Sequence, residues 1–483
     1  MVEMPASLNK RSRKMAEPNP AARSKLAQGN SRAGSATEPR MCERVRSAAR
    51  LSAPARRSRV ALAMAGGGPL GAIYEVGALA ALAEALVGVD LNRLDTYVGV
   101  SAGGILGAGL ANGITPREMG KLFIDSLVDD GTWSTADKAF DPSMLMRPAF
   151  AEYAARLKNL PTLLGQAFWQ YARSGRGHGI SGALGAAGHL LQLLPTGMFS
   201  NQPLQAYLAG VFSAPGRTDD FRHLKSRLYL IATDLDSGAA VAFGSAGHDE
   251  VPISLAATAS SALPGLFPPV QIGARHYVDG ALKRTLHASV ALQQGADLVF
   301  CLNPLVPYDD HAVVSSGGRA RHLIDSGLPA VILQTIRAVI HSRMEIGMRQ
   351  YGDDYPDADV VLFEPNRADA EMFFTNMFSY SNRRRLSEHA YQKTRAELWV
   401  RRHELAPLLA RHGISLDLRV LRDKKKTLLG EIDKPQAAPL LPVTHITAHL
   451  ADALDDLGRF VAHAQVHAAH AQRLPVDRRN AFS

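Results

Sequence analysis

The sequence predicts an α/β fold, a three-layer α/β/α sandwich in which helices cover both faces of a mostly parallel central sheet. Two observations carry this prediction. Apolar runs typical of buried strands alternate with stretches whose apolar residues recur at helical spacing. Two of these runs end in glycine-rich turns that open into helical stretches, as parallel sheets require. The strand-like runs are Val60–Met64, Tyr97–Val100, Leu228–Thr233, Leu298–Leu302 and Val360–Phe363.

The first glycine-rich turn is Gly66-Gly67-Gly68-Pro69-Leu70-Gly71, which follows the run Val60–Met64 and precedes a helical pattern. Such a turn presents bare backbone N–H groups above the sheet, where they can bind an acyl-transfer oxyanion or a phosphate. The spacing also satisfies Gly-x-Gly-x-x-Gly, so a dinucleotide site with Asp90 or Asp95 as its acid stays open. The next strand leads into a serine turn and not into a ribose-binding acid, which favours the oxyanion.

The second turn, Gly99-Val100-Ser101-Ala102-Gly103, stands between an apolar strand and a helix of small residues. This is how a nucleophilic serine is mounted on a sharp strand-to-helix turn. Glycines flank the serine because the turn strains the backbone and because the helix passes close to neighbouring chain. The N-terminus of the helix also favours negative charge that develops at the site. We therefore interpret Ser101 as a nucleophile.

The third feature is Asp279, which follows a short apolar strand and precedes Gly280 and Ala281. A carboxylate at a strand end beside a glycine emerges with little crowding. Upstream, the segment from Ala257 to Val270 predicts a small-residue helix that ends in a proline-locked apolar turn.

Taken in chain order, these features resemble the patatin-like phospholipases, over about residues 58–305. The resemblance rests on the glycine loop, the serine turn, the segment Ala262-Leu263-Pro264-Gly265-Leu266-Phe267-Pro268-Pro269 and the Asp-Gly-Ala triplet. It implies a catalytic dyad, with Ser101 as nucleophile and Asp279 as the proton acceptor, and an oxyanion hole formed by Gly66, Gly67 and Gly68. The motif positions are Gly66, Gly71, Gly99, Gly103, Gly280 and Ala281. One departure is Leu70, where many relatives carry Arg or Lys.

A serine hydroxyl is a poor nucleophile at neutral pH and needs a base beside it. The sequence allows two kinds of base, a histidine or a carboxylate that acts directly. Histidine is the usual base, and His276 and His287 are the local candidates for a Ser-His-Asp triad. The odd spacing on a strand places His276 on the face opposite Asp279. A carboxylate acting directly would work best with its pKa raised by burial, which we expect from Tyr277, Val278 and Leu282.

The sequence therefore predicts a serine acylhydrolase that cleaves carboxylic esters of lipids and needs neither a metal nor an organic cofactor. Two alternatives stay open: a Ser-His-Asp esterase that acts on small esters, and a non-catalytic lipid- or nucleotide-binding protein that retains the fold. We expect a lipid or membrane-surface substrate and no nucleic acid. A cytoplasmic location, with any membrane contact peripheral, fits the two cysteines, Cys42 and Cys301, and the lack of apolar stretches long enough to span a bilayer.

Four regions are predicted along the 483 residues. The catalytic domain at 58–305 carries a helical insertion at about 129–204, which we interpret as a lid or acyl-chain groove. A helical extension at 306–434 packs on the core, and a linker with an amphipathic helix fills 435–483. Residues 1–57 form a disordered basic arm, because residues 1–59 hold 14 Lys and Arg against 4 Asp and Glu. These 59 residues carry a net charge of +10, so the rest of the chain has a net charge of −1 within the total of +9.

Two further patterns lie near the C-terminus. The basic helical run from Tyr380 to Arg402 contains Arg383-Arg384-Arg385, which predicts a solvated face or a basic surface turned to a membrane. The pairs His445/His449 and His463/His467 have the spacing of metal ligands on a helix. Carboxylates that would complete a metal site are not evident nearby in the sequence, so an exposed polar face is favoured.

Overall fold

The computed structural model describes residues 57–124, 140, 142–149, scattered positions between 153 and 169, 195–283, 286–309, 324, 327–367, 369, 371, 373 and 380–428. Three predicted features lie outside these residues: nearly all of the basic arm at 1–57, most of the helical insertion at 129–204, and the whole of 435–483, which includes the two histidine pairs.

Five strands of the central sheet have bounds within one residue of the five predicted runs, and the described part of the chain contains five more strands. The predicted strands are β1 (Val60–Met64), β3 (Thr96–Val100), β4 (Arg227–Asp234), β8 (Leu298–Leu302) and β9 (Asp359–Phe363). The others are β2 (Leu86–Val87), β5 (Ala240–Phe243), β6 (Val270–Ile272), β7 (Arg275–Asp279) and β10 (Ser415–Leu416).

The strand order is β6-β7-β4-β3-β1-β8-β9, with β5 also paired to β4. Pairing is parallel from β4 through β3, β1 and β8 to β9, and antiparallel where β5 and β7 meet β4 and where β6 meets β7. Strands β2 and β10 form a separate two-stranded sheet. The predicted α/β class with a mostly parallel sheet is therefore confirmed. The domain boundaries stay predictions, although the segment after residue 305 supplies strand β9.

Helices cover both faces of the sheet, as alternation along β1 makes plain. Leu62 and Met64 point into one hydrophobic core, and Ala61 and Ala63 point into the other. The first core takes α1 (Gly68–Ala85), α2 (Ser101–Ala111), α3 (Pro116–Phe123), α4 (Gln202–Phe212), α5 (Ile253–Ser260), α8 (Tyr380–Val400) and α9 (Arg402–Ala410). The second takes α6 (Ala288–Gln293) and α7 (Gly327–Asp354). A short helix, α10 (Leu418–Arg422), follows them.

Helix α1 is apolar on nearly all sides, and most of its residues are buried. This pattern is typical of a helix that lies between other layers of a protein. Helix α8 packs against it. The two helices approach closely at Gly77, where a Cβ atom would lie 2.3 Å from the carbonyl oxygen of Ser387. This contact fixes α8, which comes from far along the chain, beside the helix that follows the first glycine-rich turn.

Candidate active site

Ser101 stands at the junction of β3 and α2, where the strand ends at Val100 and the helix begins. Its φ of 52° makes it the only non-glycine residue with positive φ in the part of the chain that the structure describes. A residue with a Cβ in this region costs of order 1–2 kcal/mol, so the surrounding contacts must hold it there. The backbone strain predicted for this turn is carried by the serine itself.

The glycines on either side of Ser101 are needed for the space that they leave. Neither of them has a positive φ. A Cβ on Gly103 would lie 2.5 Å from the carbonyl oxygen of Ala65, and one on Gly99 would lie 2.4 Å from the Cα of Gly104. Both distances are far below contact distance, so helix α2 can approach strands β1 and β3 only because these side chains are absent. This confirms the close approach predicted from the sequence.

A buried side chain that the sequence analysis did not single out holds the turn. The backbone N–H of Ser101 donates a hydrogen bond to Oγ of Ser260 at 2.8 Å, and Ser260 Oγ donates to the carbonyl oxygen of Ile231 at 2.6 Å. Ser260 is fully buried at the end of α5 and so connects the serine turn to strand β4. The small-residue segment around it was visible in the sequence, but nothing there showed which strand it would contact.

Strand register brings Asp279 to the serine. Val100 of β3 pairs with Ile231 of β4, and Asp279 of β7 pairs with the next residue of β4, Ala232. The two strand ends therefore meet at neighbouring positions of one strand. Gly280 makes the junction possible, since a Cβ there would lie 2.2 Å from the Ile231 carbonyl oxygen and 3.2 Å from Val100.

The Asp279 carboxyl is buried and hydrogen-bonded. It accepts from the Ala281 backbone N–H at 2.8 Å, and the Thr233 hydroxyl donates to the Asp279 backbone carbonyl at 3.2 Å. Burial raises the pKa of Asp279 to about 6, against the lowering effect of the Ala281 and Ser101 hydrogen bonds. Tyr277 and Val278 are buried as predicted, whereas Leu282 is 39 % exposed and was wrongly expected to shield the carboxyl.

Neither histidine proposed for a triad lies between these two groups. His276 is exposed on the face of β7 away from Asp279, as its odd spacing predicted, and its Nδ1 lies 3.8 Å from Asp236. His287 is buried at the start of α6, which packs into the second core, whereas α2 packs into the first. The helices of Ser101 and His287 thus lie on opposite faces of the sheet.

The first glycine-rich turn lies directly beside the serine. A Cβ on Gly66 would lie 3.0 Å from the Cβ of Ser101, and the turn ends where α1 begins, at Gly68. No hydrogen bond within the described ranges takes the N–H groups of Gly66, Gly67 or Gly68. A helix N-terminus leaves such groups without acceptors, so they can bind an anion beside Ser101.

The acids needed for the dinucleotide alternative are placed elsewhere. Asp95 accepts a hydrogen bond from the N–H of Val60, at the start of β1, and Asp90 lies near it beside Arg93. The glycine-rich turn follows the other end of β1. These carboxylates are thus separated from the turn by the whole length of a strand.

An apolar groove opens at Ser101. Its walls include Ile73, Ile105, Phe123, Phe140, Leu204 and Phe267. A smaller apolar cavity lies beyond Ile105 and Phe123, around Met119 and Phe212. Arg383 of α8 also lines the groove and is buried, although the basic run that contains it predicted a solvated or membrane-facing surface.

Two findings bear on membranes and metals. Among the helices that the structure describes, none has the length and apolar character needed to cross a bilayer. In the same part of the chain, His, Cys, Asp and Glu side chains form no group of three or more that could hold a metal ion.

Two solved structures are similar to part of this chain. The chain is similar in structure to VipD from Legionella pneumophila, at 16% identity and a TM-score of 0.26, over 54% of this chain and 52% of that one. It is also similar to the type III effector ExoU of Pseudomonas aeruginosa, at 15% identity and a TM-score of 0.29, over 71% of this chain and 53% of that one. The chain thus spans about half the length of these solved structures. No curated protein matches it.

A family model described as patatin-like phospholipase matches residues 62–292. The matched segment runs from β1 to α6 and contains the glycine-rich turn, the serine turn and Asp279. Over residues 62–292 this chain is therefore similar to the patatin-like phospholipase family.

Proposed function

We propose that this protein is a serine acylhydrolase that cleaves carboxylic esters of lipids through Ser101 and Asp279, with the N–H groups of Gly66, Gly67 and Gly68 as its oxyanion hole. The observation that carries the proposal is the meeting of a serine held at positive φ with a buried carboxyl group, at the ends of two strands that pair with neighbouring residues of β4. A nucleophile placed beside its base is the arrangement that acyl transfer needs.

The reaction would proceed in two halves. Oγ of Ser101 attacks the ester carbonyl carbon while Asp279 takes the hydroxyl proton, and the glycine N–H groups bind the oxyanion that forms. The carbon–oxygen bond to the alcohol then breaks, Asp279 returns the proton to the leaving oxygen, and the acyl group stays on Ser101. Water attacks the acyl group, Asp279 accepts its proton, and the released Ser101 oxygen regains that proton.

The pKa of Asp279 suits this role. A carboxyl with an ordinary pKa of 3.8 is a weak base at neutral pH, whereas one raised to about 6 by burial is closer to the operating pH and still ionised there. The proposed dyad thus needs no histidine, in keeping with the positions of His276 and His287.

The groove supports a lipid ester as substrate. Its walls beside Ser101 are mostly apolar, and the further cavity past Ile105 and Phe123 extends the apolar space along helix α2. An acyl chain buried there would contribute roughly 0.8 kcal/mol per methylene. Long-chain esters should therefore be better substrates than short ones.

Labelling with a fluorophosphonate probe tests the nucleophile. We expect the probe to label the purified protein and Ser213→Ala, in which an exposed serine at the end of α4 is removed, but not Ser101→Ala. Equal labelling of Ser101→Ala would overturn the assignment.

A second experiment separates the dyad from a triad. Hydrolysis of a long-chain 4-nitrophenyl ester should survive in His276→Ala and His287→Ala and fall by about a thousandfold or more in Asp279→Asn. Loss of turnover in His287→Ala with a normal melting temperature would instead favour the Ser-His-Asp alternative.

A further inference from the structure

The apolar space beside Ser101 is divided in two. The outer part is the groove that opens at Ser101, and the inner part is the smaller cavity around Met119 and Phe212, here called the inner cavity. Among the residues that the structure describes, Ile105 of α2 and Phe123 of α3 are the two that line both spaces. These two side chains therefore form a partition between the groove and the inner cavity.

Helix α2 shows the direction in which the groove runs. Ser101, Ile105 and Gly109 follow one another at four-residue spacing, so they lie on one face of the helix. Ser101 lines the groove, Ile105 lines both spaces, and Gly109 lines the inner cavity. Between Ser101 and Leu110, all of which the structure describes, Ile105 is the one residue that is not buried, as expected of a side chain that faces the groove. The partition thus lies one helical turn, roughly 6 Å along the helix axis, from the serine.

Aromatic packing on both sides holds the partition in place. The ring of Phe123 lies 5.4 Å from that of Phe140, which lines the groove. The ring of Phe140 lies 5.5 Å from that of Tyr207, which lines the inner cavity. Ring pairs at these separations stabilise packing beyond the apolar area that they bury. The ring of Phe123 therefore has a fixed position at the inner end of the groove.

The space beyond the partition has the same character as the groove. Its described walls are apolar side chains of α2, α3 and α4 and of the turn after α2, together with Gly109 and Tyr207. An alkyl chain that passed the partition would therefore stay in apolar surroundings, where each further methylene is removed from water. What separates the two spaces is thus the volume of two side chains and not a change in polarity.

We propose that the acyl chain of the ester lies along α2 between Ser101 and the partition, and that Ile105 and Phe123 set the upper limit of its length. In the proposed reaction the acyl group stays on Oγ of Ser101 after the alcohol has left. A space closed at its inner end suits the part of the substrate that stays, whereas the alcohol needs the open side to depart. The inference rests on the proposed hydrolase function.

A series of 4-nitrophenyl esters with one alcohol and acyl chains of increasing length, up to sixteen carbons, tests the inference. In the wild type, kcat/KM should rise with chain length and level off where the chain reaches the partition. Phe123→Ala joins the groove to the inner cavity, and each methylene buried there should raise kcat/KM about fourfold. With two or more such methylenes, the ratio of kcat/KM between the sixteen-carbon and eight-carbon esters should rise about tenfold or more.

The matched control is Leu208→Ala, because Leu208 is buried and lines the inner cavity but not the groove. This variant enlarges the inner cavity and leaves the partition in place, so its dependence on chain length should match that of the wild type. Ile105→Phe adds volume at the partition and should move the limit to shorter chains. Phe123→Leu opens a smaller gap and should shift the limit in the same direction as Phe123→Ala, which keeps the test available if the alanine variant does not fold.

Binding of 2-alkanones, which have a carbonyl group and an alkyl chain but no leaving group, separates this inference from the proposed function. Their affinity for the full-length protein should stop rising at one chain length in the wild type and at a longer one in Phe123→Ala. This result without hydrolysis of any ester would refute the proposed function alone. An unchanged limit in folded Phe123→Ala or Phe123→Leu, or the same shift in Leu208→Ala, would overturn the role of the partition. A protein that neither hydrolyses the esters nor binds the ketones would overturn both.

Discussion

Replacing Asp279 with asparagine should abolish activity and stabilise the fold at neutral pH. The carboxyl is 4 % exposed, and burial raises its pKa from 3.8 to about 6. A group whose pKa is higher in the folded state contributes stability that is fully present below pH 3.8 and is lost as the pH rises through about 6. At about 1.4 kcal/mol per pH unit, a shift of roughly two units amounts to about 3 kcal/mol.

Asparagine keeps the size of the side chain and an oxygen for the Ala281 N–H, but it does not ionise. The free energy of unfolding of Asp279→Asn should therefore exceed that of the wild type by a difference that grows by about 3 kcal/mol between pH 4 and pH 8. Urea unfolding of both proteins across this range measures the difference directly. In parallel, wild-type kcat/KM should rise with pH through about 6, because only the ionised carboxylate can take the Ser101 proton.

Asp234 provides a control in which stability changes with pH in the opposite direction. Its pKa is lowered by hydrogen bonds from Ser237 and Arg275. Its contribution to stability is present above the ordinary pKa of 3.8 and is lost as the pH falls, so Asp234→Asn should be destabilised at neutral pH and less so in acid. A difference between wild type and Asp279→Asn that stays constant from pH 4 to pH 8 would refute the reasoning for Asp279.

Two further predictions concern the serine turn. Ser260→Ala leaves the buried N–H of Ser101 without its acceptor, so it should destabilise the fold by about 2 kcal/mol and lower kcat tenfold or more with little change in KM, with rescue by Ser260→Thr. The control Thr258→Val removes a buried hydroxyl from the same helix, and an equal loss of kcat there would contradict a positioning role. Gly103→Ala should cost about 1–3 kcal/mol in urea unfolding because of its clash with strand β1, whereas Gly210→Ala, on an exposed and open helix position, should stabilise slightly. Similar unfolding midpoints for the two glycine variants would contradict the close approach.

Local patterns predicted much of this fold. The five long strands, the two glycine-rich turns and the helices that follow them were readable because each depends on residues close together in sequence: apolar runs, small residues at a turn, and helical spacing. The same locality explains the prediction of Ser101 as a nucleophile. The prediction that Arg383 lies on a solvated or membrane-facing surface was wrong, because a run of three arginines does not show which other helix will cover one of them.

The sequence by itself determined the strand-turn-helix units, the serine at one of their turns and the carboxyl at the end of a strand, because hydrophobic pattern and small residues at the turns decide these features. Only the tertiary structure decided which groups meet. Strands β3 and β7 end beside neighbouring residues of β4, so Ser101 lies near Asp279. Ser260, at the end of α5, accepts a hydrogen bond from the serine turn, and Arg383 of α8 lines the groove. Such contacts follow from strand register and helix packing, which no local stretch of sequence encodes.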